Sequence, residues 1–332
     1  MRLLSHPSPQ YHRGAKVCNL DLNVLNNPIL YLCLAYINPL TDFGFKKLFG
    51  EEVNKALLID FLNHLLPYHH QITDLTYMRH EKIGSTPVDR KVVYDLYCQN
   101  ALGERFIVEL QKARQEFFVD RSLYYSTFAI QEQAQAGKWN FKLSPVYVVA
   151  VLDFDMQLDS NYLTEQPLFE KPEPYYHWIR LIDEVGRVIY QKLHYIFIEL
   201  PKFKKQESEL KTLRDKWLYM LRHLARLQDR PIALQEQIYQ RVFEIAEIAT
   251  FSKEERYAYE DSLKAYRDFK NAIDTAEAEG YQKGHVDGEQ KGRLEGRLEE
   301  KRKIAMVLKA AGQPLELIQQ ATELSFEEIE NL

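Results

Sequence analysis

Two acids and an amide are the residues best placed to do chemistry. Asp95 lies within Val92-Val93-Tyr94-Asp95-Leu96-Tyr97, and Glu109 and Gln111 lie within Phe106-Ile107-Val108-Glu109-Leu110-Gln111. A carboxylate in so apolar a run is costly to bury unless it is paired or binds a cation. Asn100-Ala101-Leu102-Gly103 separates the two runs and is a turn signal. A hairpin centred on Leu102 sets Asp95 opposite Glu109 and Val93 opposite Gln111. Opposed residues carry Cβ atoms about 5 Å apart, and the two-residue period of a strand puts Glu109 and Gln111 on one face. Carboxylates that close repel each other, which a cation relieves. Three oxygen donors on a rigid face suit Mg²⁺ or Mn²⁺. The same spacing also fits acids on the solvent side of an antiparallel hairpin, and one Asp with a Glu-x-Gln does not decide between the two.

The elements that must position this pair follow from periodicity. Thr41 and Asp42 are N-cap candidates for a short helix through Phe49. Glu51 to Leu66 carries Val53, Leu57, Leu58, Phe61, Leu62 and Leu65 at helical spacing, ended by Pro67. Ile72 to Ile83 alternates loosely; Lys91 to Gln99 and Glu104 to Gln111 are the two strands of the hairpin. Phe118 to Gly137 is expected to be a helix stopped by glycine. Pro145 to Phe154 is almost wholly apolar, as a central strand buried on both faces would be. Tyr175 to Glu184 and His194 to Leu200 are further strand candidates. Ser208 to Leu227 and Ile232 to Thr250 are amphipathic helices.

Two stretches invite a functional reading without compelling one. Lys202 to Arg230 holds nine Lys/Arg against four Asp/Glu, either a phosphate-contacting face or a solvated helix surface. Gly280, Gly284, Gly288, Gly292 and Gly296 recur every fourth residue among charged neighbours. Each glycine costs a helix about 1 kcal/mol relative to alanine, so the stripe either packs closely against a partner helix or marks a flexible polar arm. A self-associating or closely packed helix is the favoured reading. The intervening charges exclude a membrane-type glycine motif. The last residues, from Ile304 to Leu332, form a small helical end piece.

Bulk properties bound the rest. The chain has 332 residues, 45% apolar and 27% charged, with a formal net charge of −5. That is enough apolar residue for a packed core, and it excludes a uniformly basic nucleic-acid binder but not a local basic face. Cys18, Cys33 and Cys98 form no paired or zinc-type spacing, which fits a reducing cytoplasm. The apolar run Ile29 to Ile37 is too short to cross a bilayer, and Asn38-Pro39 follows it with no small-residue cleavage pattern. No phosphate-loop or dinucleotide glycine motif is present. Residues 1–35 lack periodic pattern and are expected to be a disordered or non-native extension. The organisation expected is an α/β (α+β) core over 36–200, a helical region over 201–275, and a Gly-periodic helical tail over 276–332.

Several segments together resemble a known family. Asn38-Pro39-Leu40-Thr41-Asp42-Phe43-Gly44-Phe45-Lys46-Lys47-Leu48-Phe49-Gly50 is similar to its opening signature, and Leu58-Ile59-Asp60-Phe61-Leu62-Asn63 to the helix that follows. Asp89-Arg90-Lys91, Tyr94-Asp95, Gly103-Glu104 and Ile107 to Gln111 resemble its hairpin. Phe118 to Tyr125, Gln131-Glu132-Gln133 and Pro145-Val146-Tyr147 resemble its next helix and buried strand. The family is the PD-(D/E)XK nuclease family transposases, relatives of recombination-promoting nucleases, and the likeness runs over roughly residues 36–310.

The resemblance implies a restriction-endonuclease-like mixed sheet flanked by helices, with a helical C-terminal extension. It implies Mg²⁺- or Mn²⁺-dependent cleavage of double-stranded DNA through a metal-activated water, in recombination or mobile-element movement. Asp95 and Glu109 would be the metal ligands. Gln111 stands where the wider superfamily often has Lys, and an amide supplies hydrogen bonds but no charge. Asp42 is the candidate acid from the first helix, with Glu51 its rival and a plain N-cap the alternative. Arg121 and Gln133 are candidate DNA contacts, Arg121 with a surface salt bridge as its alternative. Lys46 and Lys47 are candidates for the missing positive charge, or surface lysines. A homodimer through the helical parts is expected, with no membrane contact. The competing reading is a catalytically weak or inactive DNA-binding or assembly module.

Overall fold

A computed structural model describes residues 35–66, 71–79, 81–82, 92–156 and 173–332. The expectations for residues 1–34, for Pro67 and for Asp89-Arg90-Lys91 lie outside the described residues.

Helix α1 (Asp42–Phe49) opens where expected, with the Thr41 side chain accepting the Gly44 N–H. Gly44 is required there: a Cβ would lie 2.1 Å from the Asn38 carbonyl oxygen. The next segment begins as a 3-10 turn (Glu52–Asn54) before helix α2 (Lys55–Leu65). The turn rotates Val53 out of the apolar stripe, leaving it 74% exposed, while Leu57, Leu58, Phe61, Leu62 and Leu65 are buried.

The strands are β1 (Thr76–Tyr77), β2 (Glu81–Lys82), β3 (Val92–Val93), β4 (Leu96–Gln99), β5 (Arg105–Gln111), β6 (Val146–Leu152), β7 (Tyr176–Ile182) and β8 (Val188–Glu199). Six of them form one sheet in the order β1-β4-β5-β6-β8-β7; β2 and β3 pair separately. β5, β6 and β8 run parallel, and β4 and β7 are antiparallel to their neighbours. The β4–β5 register is the one expected from the turn, Leu96 opposite Val108 and Gln99 opposite Arg105. The long strand expected over Lys91 to Gln99 is broken, however. It bends at Asp95, and Val93 pairs with Glu81 rather than facing Gln111.

Helices cover the sheet on both faces. Residues alternate between faces, as strand geometry requires. Phe106, Val108, Tyr147, Val149, Val151, Ile196 and Ile198 pack in the large core with α1, α2 and helices α4 (Leu213–His223) and α5 (Gln237–Ala246). Ile107, Val146 and Val148 face helix α3 (Phe118–Gln131) through Ala129. Trp217 of α4 is fully buried and donates to Asp60 at 2.7 Å; burying such a ring contributes about 1.5–3 kcal/mol. Helix α3 ends at Gln131, short of the expected Gly137. The turn residues Gln133 and Ala134 instead close on Ile130 and Gln131.

Helix α6 (Lys253–Ala310) is a single element, running unbroken through position 275 where a segment division was expected. Its first turns pack on the core through Tyr259 and Leu263. Residues 274–300 are all exposed, and a Cβ at any of the five periodic glycines would meet nothing within 4 Å. The stripe therefore packs on nothing among the described residues of this chain. Helices α7 (Leu315–Thr322) and α8 (Phe326–Glu330) close a small separate core around Ala305, Ile318, Leu324 and Ile329.

The basic stretch from Lys202 to Arg230 is largely spent inside the fold. Lys202 binds Glu199, Lys205 binds Glu173 and Asp215, Arg214 binds Glu173, and Lys216 binds Glu236. Arg222 donates to the carbonyls of Leu200, Pro201 and Phe203. For these residues the phosphate-face expectation gives way to ion pairs and hydrogen bonds within the fold.

Candidate active site at the end of the β4–β5 hairpin

The hairpin turn fixes which residues meet. Asn100 accepts the N–H groups of Leu102 and Glu104 on its side-chain oxygen, and Gly103 takes the left-handed conformation at φ 79°. From that turn β5 carries Glu109 and Gln111 on the α3 face, both buried. β4 ends at Leu96, and the chain bends at Asp95. A continued ladder would have satisfied the Leu110 N–H with main chain. Instead the Asp95 carboxylate accepts it at 2.7 Å, while the Asp95 N–H points at Glu109 Oε1 at 3.4 Å. The Gln111 amide donates to Glu109 Oε2 at 3.0 Å. Asp95, Glu109 and Gln111 are thus joined in one chain of contacts.

Electrostatics reflect that crowding. Burial pushes the Glu109 carboxyl up to about 8, and the charge of Asp95 adds to the push; Arg121 opposes it. Burial also raises Asp95, as does Asp42, against the Leu110 N–H and the ammonium groups of Lys46 and Lys112. Two acids that resist ionising side by side are relieved by a cation.

Around this pair the other expected residues divide. Asp42 stands in the first turn of α1, bonded through Oδ1 to Lys112 Nζ at 2.7 Å, and its charge is felt at Asp95. Lys46, one turn later, lines a cleft of about 360 Å³ with Asp95, Phe43 and Tyr77. Arg121 reaches toward Glu109 from α3, holding Gln115 and lying over the Tyr125 ring at 4.8 Å. Glu51 also borders the cleft, tied to Lys47 and Asn54. Lys47 is engaged by Glu51 and Glu255, a structural use.

Gln133 is placed elsewhere. It accepts from the Ser144 N–H and donates to the Ala129 and Ser144 carbonyls. Ser144 lies beside the start of β6, where Val146 pairs with Arg105, whereas Gln111 pairs with Leu152 at the far end. Four residues of strand from Arg105 to Glu109, roughly 13 Å, separate that end of the sheet from the acids. Lys112 is the residue that sequence reasoning missed. Strand alternation assigns it the face opposite Gln111, and only its tertiary contact with Asp42 reveals it.

Among the described residues, no group of three or more His, Cys, Asp or Glu is arranged to hold a metal ion. The Asp95–Glu109 pair nevertheless fits a hard cation. Its donors are oxygens, Glu109 is buried and Asp95 half-buried, both carboxyls are raised by that burial, and Mg²⁺ commonly binds through one or two carboxylates while keeping several waters.

A family model described as PD-(D/E)XK nuclease family transposase matches residues 39–276. The chain belongs to this family. The six-stranded mixed sheet flanked by helices is consistent with the restriction-endonuclease-like core of PD-(D/E)XK proteins, and membership points to a nuclease-like or transposase-related role acting on DNA. No curated protein and no solved structure matches the chain. No helix among the described residues of this PD-(D/E)XK protein is long and apolar enough to cross a membrane.

Proposed function

We propose that this chain is a divalent-metal-dependent DNA endonuclease that uses Asp95 and Glu109 as the ligands of Mg²⁺ or Mn²⁺ and cuts double-stranded DNA in recombination or mobile-element movement. The observation that carries the reading is the linked pair itself: Asp95 and Glu109 meet where β4 breaks, and Asp95 lines an open cleft. A bound divalent cation supplies Lewis-acid stabilisation of the phosphate and lowers the pKa of water.

The chain's own residues do the rest. Glu109 must shed its proton before it can hold a cation, and the Arg121 charge and the Gln111 amide both favour the ionised form. Gln111 fixes the Glu109 carboxylate in one orientation by donating to Oε2. The Leu110 N–H does the same for Asp95. From α1, Lys46 lines the cleft beside Asp95, and the charge of Asp42 acts on Asp95. Positioning and charge placement of this kind account for most of what a phosphoryl-transfer site must provide. A homodimer through the exposed length of α6 belongs to the same proposal.

A plasmid-nicking assay in Mg²⁺ and in Mn²⁺ tests it. Wild type should nick or linearise the plasmid, and Asp95→Ala should lose at least roughly a hundredfold of the rate. Equal cleavage by the two proteins would refute the assignment. Salt-dependent DNA retention without cleavage in either ion would favour a binding module instead.

A further inference from the structure

Asp95 and Glu109 meet at the end of the hairpin, the charge of Asp42 reaches Asp95 from α1, and a phosphodiester drawn toward them would meet negative charge. Some cation must be fixed there. Arg121 acts on the Glu109 side but is committed to Gln115 and the Tyr125 ring. Lys46 is exposed, and its ammonium makes no hydrogen bond or ion pair among the described residues, so it is free to swing. Lys112 differs from both. It follows directly on Gln111 at the end of β5, its side chain is only 21% exposed, and Asp42 Oδ1 holds its ammonium at 2.7 Å.

We propose that Lys112 binds a phosphate oxygen of the DNA strand beside the Asp95–Glu109 pair, with Asp42 as the residue that positions it. An ammonium has three donors, and the Asp42 contact occupies one, leaving two for the phosphate. The packed stem means that much of the side-chain ordering cost is met before DNA arrives. The Asp42 carboxylate is itself 61% exposed, so the pair opens to solvent on the side from which a duplex would approach. An ion pair with one partner open to solvent stabilises a fold by about 0–1 kcal/mol, which leaves stability a weak reason for it.

This inference rests on the nuclease reading, and its test is read separately from cleavage. Binding of a short DNA duplex to the full chain is followed by fluorescence anisotropy in EDTA over a series of KCl concentrations, for wild type, Lys112→Gln, Lys112→Arg and Lys46→Gln. Loss of one phosphate contact should lower the slope of log affinity against log salt by about 0.9 in Lys112→Gln, with the slope retained in Lys112→Arg. Nicking in Mg²⁺ should fall roughly ten- to a hundredfold in Lys112→Gln, against a smaller loss in Lys46→Gln. Asp42→Asn should slow nicking while leaving the salt slope near wild type, as expected of a positioning residue. An unchanged slope in Lys112→Gln overturns the proposal, as does equal loss of slope in Lys112→Arg. Failure of the nuclease reading would look different: no cleavage by wild type, with the salt slopes still separating the variants.

Discussion

In the proposed site Glu109 is the residue on which the chemistry would turn, because its environment holds the proton that a cation would have to displace. Its folded-state pKa stands near 8 against an ordinary value of 4.5, owing first to burial and then to Asp95. A carboxyl raised in the folded state contributes stability below its unfolded pKa and loses it as pH climbs through the folded one. Metal-free protein should therefore weaken between about pH 4.5 and 8. Glu109→Gln cannot ionise and should be flatter across that window, gaining roughly 1–3 kcal/mol over wild type at its upper end. Urea denaturation in EDTA at several pH values checks this; parallel profiles for the two proteins would count against the buried-acid reading. At this scale the sequence was partly legible. Apolar flanks marked Asp95 and Glu109 as costly acids, and turn position fixed their opposition. Lys112 was not legible, because strand alternation says nothing about a contact with a helix seventy residues away in the chain.

Among the elements, the β4–β5 hairpin decides whether the acids meet, and its turn sets the register. Gly103 carries φ 79°, and a Cβ there would also press on Ser144 Oγ at 3.2 Å. Gly103→Ala should cost about 1–2 kcal/mol and lower the melting temperature without moving Asp95 or Glu109. Calorimetry together with nicking at a permissive temperature separates the two effects. The register was readable because Asn100-Ala101-Leu102-Gly103 and the flanking alternation agree. The bend at Asp95 was not readable, since it depends on a side chain taking the Leu110 N–H in place of the main chain. Likewise, the 3-10 turn at Glu52–Asn54 exposes Val53 despite its helical spacing. Period alone does not show where a helix begins.

For the whole molecule, the question is what the exposed length of α6 is for. Its root is tied to the edge that carries the candidate site: Ser262 accepts the Phe43 N–H, and Tyr266 and Lys270 bind Asp153, whose own N–H donates to the Gln111 carbonyl. Beyond it, residues 274–300 touch no core and span about 40 Å. A chain ending at residue 276 should keep the melting temperature of the core within a few degrees, because the lost segment buries nothing against it. Light scattering on the full and shortened chains reads the second consequence. The full chain should have the mass of a dimer and the shortened one that of a monomer, and identical masses would remove α6 as the association element. The glycine period announced a special helix, but one chain alone does not display the surface it would pack on.

Calorimetric titration of metal-free protein with Mn²⁺, for wild type, Asp95→Asn and Glu109→Gln, tests the shared ion most directly. Wild type should bind one ion at the hairpin, more tightly as pH rises toward about 8 because Glu109 must release its proton, and each variant should lose that binding while remaining folded. Unchanged affinity in both variants would contradict the account.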